Sequence, residues 1–167
     1  MAKKQEKTLE DLFEDGLKDV YFAEKKILQA LKKMAKAAES EEAVTAFENH
    51  QAETETQIER LEQVFGLLEQ KPAGKKCPAI LGIIEEGEEI MKEYKGSPAL
   101  DAGLLAAAQA VEHYEIARYG TLKAWAKELG MKAAVRLLDA TLTEEIKTDK
   151  LLSTMAEGQA NQRAEAA

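Results

Sequence analysis

The sequence predicts an all-α fold: a four-helix bundle of two long antiparallel hairpins, with a short extra helix in the crossover between them. Three observations predict it. Apolar residues recur at three- and four-residue spacing along nearly the whole chain, the apolar alternation of strands is almost absent, and Pro72, Pro78 and Pro98 leave every long periodic stretch uninterrupted.

The first helix is expected to start at Thr8, whose hydroxyl can cap free backbone N–H groups, with Asp11 near the positive end of the helix dipole. Its apolar stripe is Leu9, Leu12, Phe13, Gly16, Leu17, Val20, Ala23, Ile27, Leu28, Leu31 and Met34, and it ends near Ala38. Ser40 then caps a second helix with the stripe Val44, Phe47, Ile58, Leu61, Val64, Phe65 and Leu68. The link between the two is short enough to demand an antiparallel hairpin. Pro72, Gly74 and Pro78 mark the one substantial loop, from about Gln70 to Ala79. A shorter helix follows, from about Ala79 to Lys95, and Gly96 stops it. Ser97-Pro98 reads as a cap and first helical position opening the fourth helix, which runs to Leu129 before the stop at Gly130. The fifth helix covers roughly Met131 to Ala156. The expected organisation is a flexible start over residues 1–7, one bundle domain over 8–156, and a frayed tail over 157–167, where no apolar stripe is seen. Two long hairpins joined by one long crossover is the plan of ferritin-like folds.

A chain of 167 residues can bury one sizeable core without disulfides or structural metal. Charged residues make up 32% of it, and no apolar run approaches the roughly 20 residues of a bilayer span. The start has charges with no apolar segment behind them, unlike a secretory signal. The expectation is a cytoplasmic protein with no membrane partner. With 31 acidic against 23 basic residues and a net charge of −8, nucleic acid is not an expected partner either. The single cysteine, Cys77, has no internal disulfide partner and reads as structural.

Function enters through polar residues inside the apolar stripes. Glu24 lies on the first helix between Val20 and Leu28, at a core address. On the second, His50 follows Phe47 by three, Thr54 and Gln57 share its face, and Glu53 sits at the edge. On the fourth, Glu112 and Glu115 fall within the stripe of Leu104, Leu105, Ala108, Val111, Tyr119 and Leu122. On the fifth, Glu145 is near the centre of a stripe and Asp149, one turn later, is still on it; His113 is turned away and reads as solvated. An ionised carboxylate in an apolar interior is costly and takes up a proton or finds a partner. Six acidic groups and a histidine from four helices have no matching stripe of lysine or arginine, although Arg118 lies near an edge. A pair of divalent metal ions would neutralise them. Known dimetal bundles use two glutamates and two Glu-x-x-His motifs, but Thr56 and Thr148 stand where those histidines would be. The signal is the constellation, with no textual motif behind it.

The stretches LEDLFEDGLKDVYFAEKKIL (Leu9 to Leu28), Phe47 to Leu61 with His50, Glu53 and Gln57, VEHYEIARYGTL (Val111 to Leu122) and LTEEIKTDKL (Leu142 to Leu151) resemble the YciE/YciF-like family of bacterial ferritin-like stress proteins, the DUF892 group. The resemblance runs from about Thr8 to Glu157. It implies a five-helix ferritin-like domain, usually dimeric, with a dimetal carboxylate centre and a link to stress responses. Leu81 and Ile146 stand where the family commonly has a glutamate and a lysine, by drift or by design of an interface. A homodimer or higher oligomer with contacts at Leu81 and Ile146 is therefore expected, unless the third helix folds Leu81 into the core.

The leading functional expectation is a dimetal oxidase or peroxidase holding two iron or manganese ions and acting on O2 or peroxide. The expected ligands are Glu24, His50, Glu53, Glu112 and Glu145, with Glu115 and Asp149 as further ligands or supports. Oxygen-rich donors suit iron and manganese better than copper. Tyr21 and Tyr114 are candidate donors to bound oxygen species, though packing explains both. The alternative is a non-catalytic helical oligomer or protein-binding module whose interior polar residues satisfy one another.

Overall fold

The computed structural model describes residues 6–166, and among them there is no strand. Five long helices form: α1 (Leu9–Ala37), α2 (Glu41–Leu67), α3 (Pro78–Glu93), α4 (Leu100–Glu128) and α5 (Lys132–Met155). Helices α1 and α2 make one hairpin, α4 and α5 the other, and α3 packs across α4 and α1. Most of the expected flexible start, residues 1–5, lies outside the described residues; Glu6 and Lys7 are exposed.

Local chemistry sets the helix ends. The Asp11 N–H donates to the Thr8 hydroxyl at 3.2 Å while the Thr8 N–H donates to Asp11 Oδ2 at 2.8 Å, a reciprocal cap for α1. Ser40 caps α2 through the Ala43 N–H at 3.3 Å. Gly96 and Gly130 have φ of 74° and 73°, and so end α3 and α4 with the left-handed residue that glycine adopts without strain. The opening of α4 departs from expectation. Its first residue is Leu100, not Pro98, because the Ser97 hydroxyl takes the Ala99 N–H at 3.2 Å and the Ser97 carbonyl takes the Leu100 N–H at 2.9 Å. Ser97-Pro98-Ala99 is thus a turn before the helix. The α3 helix starts at Pro78, with Cys77 Sγ accepting the Ile80 N–H at 3.5 Å.

The expected loss of helix after Ala156 does not occur. A wide five-residue turn, Ala156–Ala160, leads into a short helix α6 (Asn161–Glu165). Such a turn advances the chain by an extra residue and shifts the helical phase. Ala160 is thereby buried and Ala156 half-buried against the core, a stripe of alanines too weak to read from hydropathy.

The core divides in two. Near one end, Ile27, Leu31, Phe47, Ile80, Leu104 and Leu152 pack together; near the other, Phe13, Leu17, Leu61, Phe65, Tyr119 and Leu138 do. The side chains between these clusters are polar on every long hairpin helix: Glu24 on α1, His50, Thr54 and Gln57 on α2, Glu112 and Glu115 on α4, and Thr141, Glu145 and Thr148 on α5. A polar layer is sandwiched between two apolar ones. Asp101, at the start of α4, accepts the N–H groups of Glu39 (2.9 Å) and Ser40 (2.8 Å), tying the first hairpin's turn to the second hairpin. Leu81 is half-buried against the first apolar cluster, whereas Ile146 is 39% exposed.

Candidate metal centre

The polar layer converges on a small volume. His50, Glu112, Glu115 and Glu145 each offer a donor atom, and these atoms all lie within 4.8 Å of one another. Helix geometry brings them there: Glu112 and Glu115 are one turn apart on α4, and the α2 and α5 stripes place His50 and Glu145 opposite. The His50 Nε2 lies 3.0 Å from Glu112 Oε1 and 3.9 Å from Glu145 Oε2. Glu24 enters from α1, fully buried, with Oε1 accepting the Tyr119 hydroxyl. Gln57 donates through Nε2 to Glu145 and, at 3.1 Å, to Glu144. Arg60 holds Glu144 from two sides, at 2.6 and 2.7 Å, so a relay Arg60–Glu144–Gln57–Glu145 runs from the half-buried margin into the cluster.

The electrostatics are those of carboxylates short of counter-charge. Burial raises Glu24 from 4.5 to about 7, against the lowering effect of the Tyr119 hydrogen bond. Burial also pushes Glu115 well up, reinforced by the charges of Glu145, Glu24 and Glu112. Glu145 rises through burial and through the Glu112 carboxyl packed close to it. Burial alone would lower His50, but the adjoining Glu112 and Glu53 carboxylates prevail and hold it well above its ordinary value. Burial and the adjacent Glu24 raise the Tyr119 phenol. Among the described residues no lysine or arginine is buried.

Whether these residues suit metal can be judged from atoms left without partners. Glu24 Oε2, both oxygens of Glu112 and of Glu115, Glu145 Oε2, Gln57 Oε1 and the ring nitrogens of His50 are buried without an aligned hydrogen bond, the 3.0 Å approach of His50 Nε2 to Glu112 Oε1 being an ion-pair contact. Buried polar atoms are ordinarily satisfied, so this dense group of orphans is a donor set that cations could complete. The four carboxylates Glu24, Glu112, Glu115 and Glu145 carry charge that two divalent ions would balance, with His50 neutral. The donor set fits.

Two expected ligands are not gathered in. Glu53 is half-exposed at the rim, its Oε2 3.6 Å from His50 Nδ1 and accepting the Thr148 hydroxyl at 3.4 Å. Asp149 faces His113 Nε2 at 3.1 Å and Gln109 at 3.4 Å, on the outer side of the α4–α5 seam. His113 itself is solvated, 70% exposed. Tyr21 donates to Glu62 at 2.8 Å, and the Tyr114 hydroxyl lies 3.2 Å from Cys77 Sγ, so neither meets the cluster. The tyrosine that does is Tyr119. Its signal was available: a tyrosine one turn beyond Glu115 on the same stripe, whose buried hydroxyl must find a partner.

The family described as "Domain of unknown function (DUF892)" matches residues 8–165. Protein YciF of Escherichia coli (strain K12) is 45% identical over 160 residues, which cover 95% of this chain and 96% of that protein. The crystal structure of the E. coli stress protein YciF superposes with a TM-score of 0.87 at 44% identity, covering 93% of this chain and 99% of the other. The YcfI structure from Rhodopseudomonas palustris gives the same TM-score, 0.87, at 48% identity and with 92% and 98% of the chains covered. A protein from Xanthomonas campestris pv. campestris, 22% identical with a TM-score of 0.72, shares the fold. With the bundle, its crossover helix and nearly its full length matched, the chain belongs to the DUF892 family of YciF-like, ferritin-like proteins.

Proposed function

We propose that the protein is a stress-response protein whose buried cluster binds two divalent metal ions, iron or manganese, and uses them on O2 or peroxide. One observation carries the reading: four carboxylates and a histidine, contributed by four helices, are buried together with most of their polar atoms unpartnered. Glu24, His50, Glu112, Glu115 and Glu145 would hold the ions. Bound iron or manganese supplies a redox-active Lewis acid for a small oxygen ligand. The chain's own residues do the rest. Tyr119 orients Glu24 through its hydroxyl hydrogen bond, and Gln57 fixes Glu145. The apolar clusters on either side keep bulk water from the layer.

A second reading has its own support, because YcfI is described as a candidate structural protein. There the protein is a non-catalytic oligomer or a protein-binding module. Thermal melting separates the two. Ions that bind only the folded state raise the melting temperature with their concentration, and a hundredfold excess over Kd adds about 2.7 kcal/mol. A shift of several degrees with Fe(II) or Mn(II) is expected. Superimposed curves would count against a metal centre and favour the module.

A further inference from the structure

Glu24, Glu115 and Glu145 are at most 1% exposed, so an ion cannot reach the cluster by way of their own surfaces. A cavity of about 140 Å³ between α2 and α5 does reach it. Its walls include His50 and Glu112 of the cluster, Thr148, Leu151 and the more exposed Glu53 and Lys147. His50 and Glu112 are 4% and 1% exposed, and both line this space. The cavity abuts a wider groove of about 560 Å³ and shares Ala46, Asn49 and Leu151 with it. That groove is flanked by Glu41 and Glu42, from the first turn of α2.

The sequence of oxygens from outside inward is thus Glu41 and Glu42, the Asn49 amide, Glu53 with the Thr148 hydroxyl on it, and then Glu112 beside His50. Such a path lets a hydrated cation exchange water for protein oxygen in steps. Glu53 is suited to the handover, being half in solvent and 3.6 Å from the His50 ring. Lys147 opposes their entry, as one ammonium against the four carboxylates of Glu41, Glu42, Glu53 and Glu112. We infer that the cleft between α2 and α5 is the route by which divalent cations enter and leave the cluster, with Glu53 attracting them and Lys147 holding them back. The inference rests on the metal-binding reading above.

The test is stopped-flow mixing of the full chain with Co(II), whose visible absorbance reports ligation, alongside equilibrium stoichiometry by dialysis. Charges along a cleft govern on-rates and are screened by salt. Glu53→Gln should slow loading by about three- to tenfold at low ionic strength, and Lys147→Glu should speed it by a similar factor, both differences shrinking in high salt. Ala46→Trp, which narrows the neck, should slow loading and release together and leave Kd unchanged. All three variants should keep the parent's stoichiometry. Parent-like rates in all three would place the route elsewhere, and a lost equivalent of metal in Glu53→Gln would make Glu53 a ligand; either overturns the inference while leaving the metal centre standing. A parent chain that takes up no Co(II) overturns the metal reading as well.

Discussion

Glu112 and Tyr119 show how much single side chains decide in this bundle. Glu112 lies against both His50 and Glu145, so Glu112→Ala should abolish metal binding while helix content by circular dichroism survives, alanine being the best helix former. Full metal stoichiometry in that variant would remove Glu112 from the ligand set. Tyr119→Phe leaves the Glu24 carboxylate without its donor, and an unpaired buried acceptor costs about 1–3 kcal/mol. The metal-free variant should therefore melt several degrees lower. Glu24, Glu112, Glu115 and Glu145 could be named from stripe phase alone, because a charged residue where leucine belongs is visible in a helical repeat. Glu53 and Asp149 show what phase cannot tell. A stripe more than 100° wide includes its own margins, and a carboxylate at the margin turns to whichever partner lies nearest, here Thr148 for Glu53 and the solvated His113 for Asp149. The Arg60–Glu144–Gln57 relay was hidden for a related reason, since it depends on the register of α2 against α5.

At the scale of elements, ends made by one residue and its near neighbours were legible, and contacts between helices were not. The Thr8 and Ser40 caps and the glycine stops follow from local chemistry. Asp101 capping the α1–α2 turn needs the two hairpins to be docked first. The α4 opening was misplaced because a serine followed by proline serves a turn as well as a cap. Helix α3 meets α4 at Gly103, where an added Cβ would stand 2.7 Å from Ile90 Cγ2. That methyl sits on a stiff β-branched side chain, so the helices must part. Gly103→Ala should destabilise the fold by about 1–3 kcal/mol despite alanine's better helix propensity, as denaturant unfolding would show. Stability at or above the parent's would mean that α3 yields without cost.

For the molecule as a whole, the polar layer links stability to pH and to metal. Glu24 is raised in the folded state from 4.5 to about 7, so the stability it contributes is present below about pH 4.5 and is lost as pH rises through 7. The raised Glu115, Glu145 and His50 act in the same direction. Metal-free Glu24→Gln should gain on the parent as pH rises from 5 to 8, by an amount on the order of 2 kcal/mol, following 1.36 kcal/mol per unit of pKa difference. Bound metal should erase that difference, since cations require the same carboxylates ionised. Assembly is a separate matter at this scale. Leu81 is partly taken up by the core, which leaves Ile146 as the more exposed of the two proposed contacts of a homo-oligomer. Ile146→Lys should lower the mass seen by light scattering with the fold intact, and an unchanged mass would remove Ile146 from any interface. Elemental analysis of freshly purified protein is the direct test of whether the interior holds cations. Close to two iron or manganese ions per chain are expected, lost in Glu112→Ala. Protein that carries no stoichiometric metal, and takes up none when offered Fe(II) or Mn(II), would contradict that expectation.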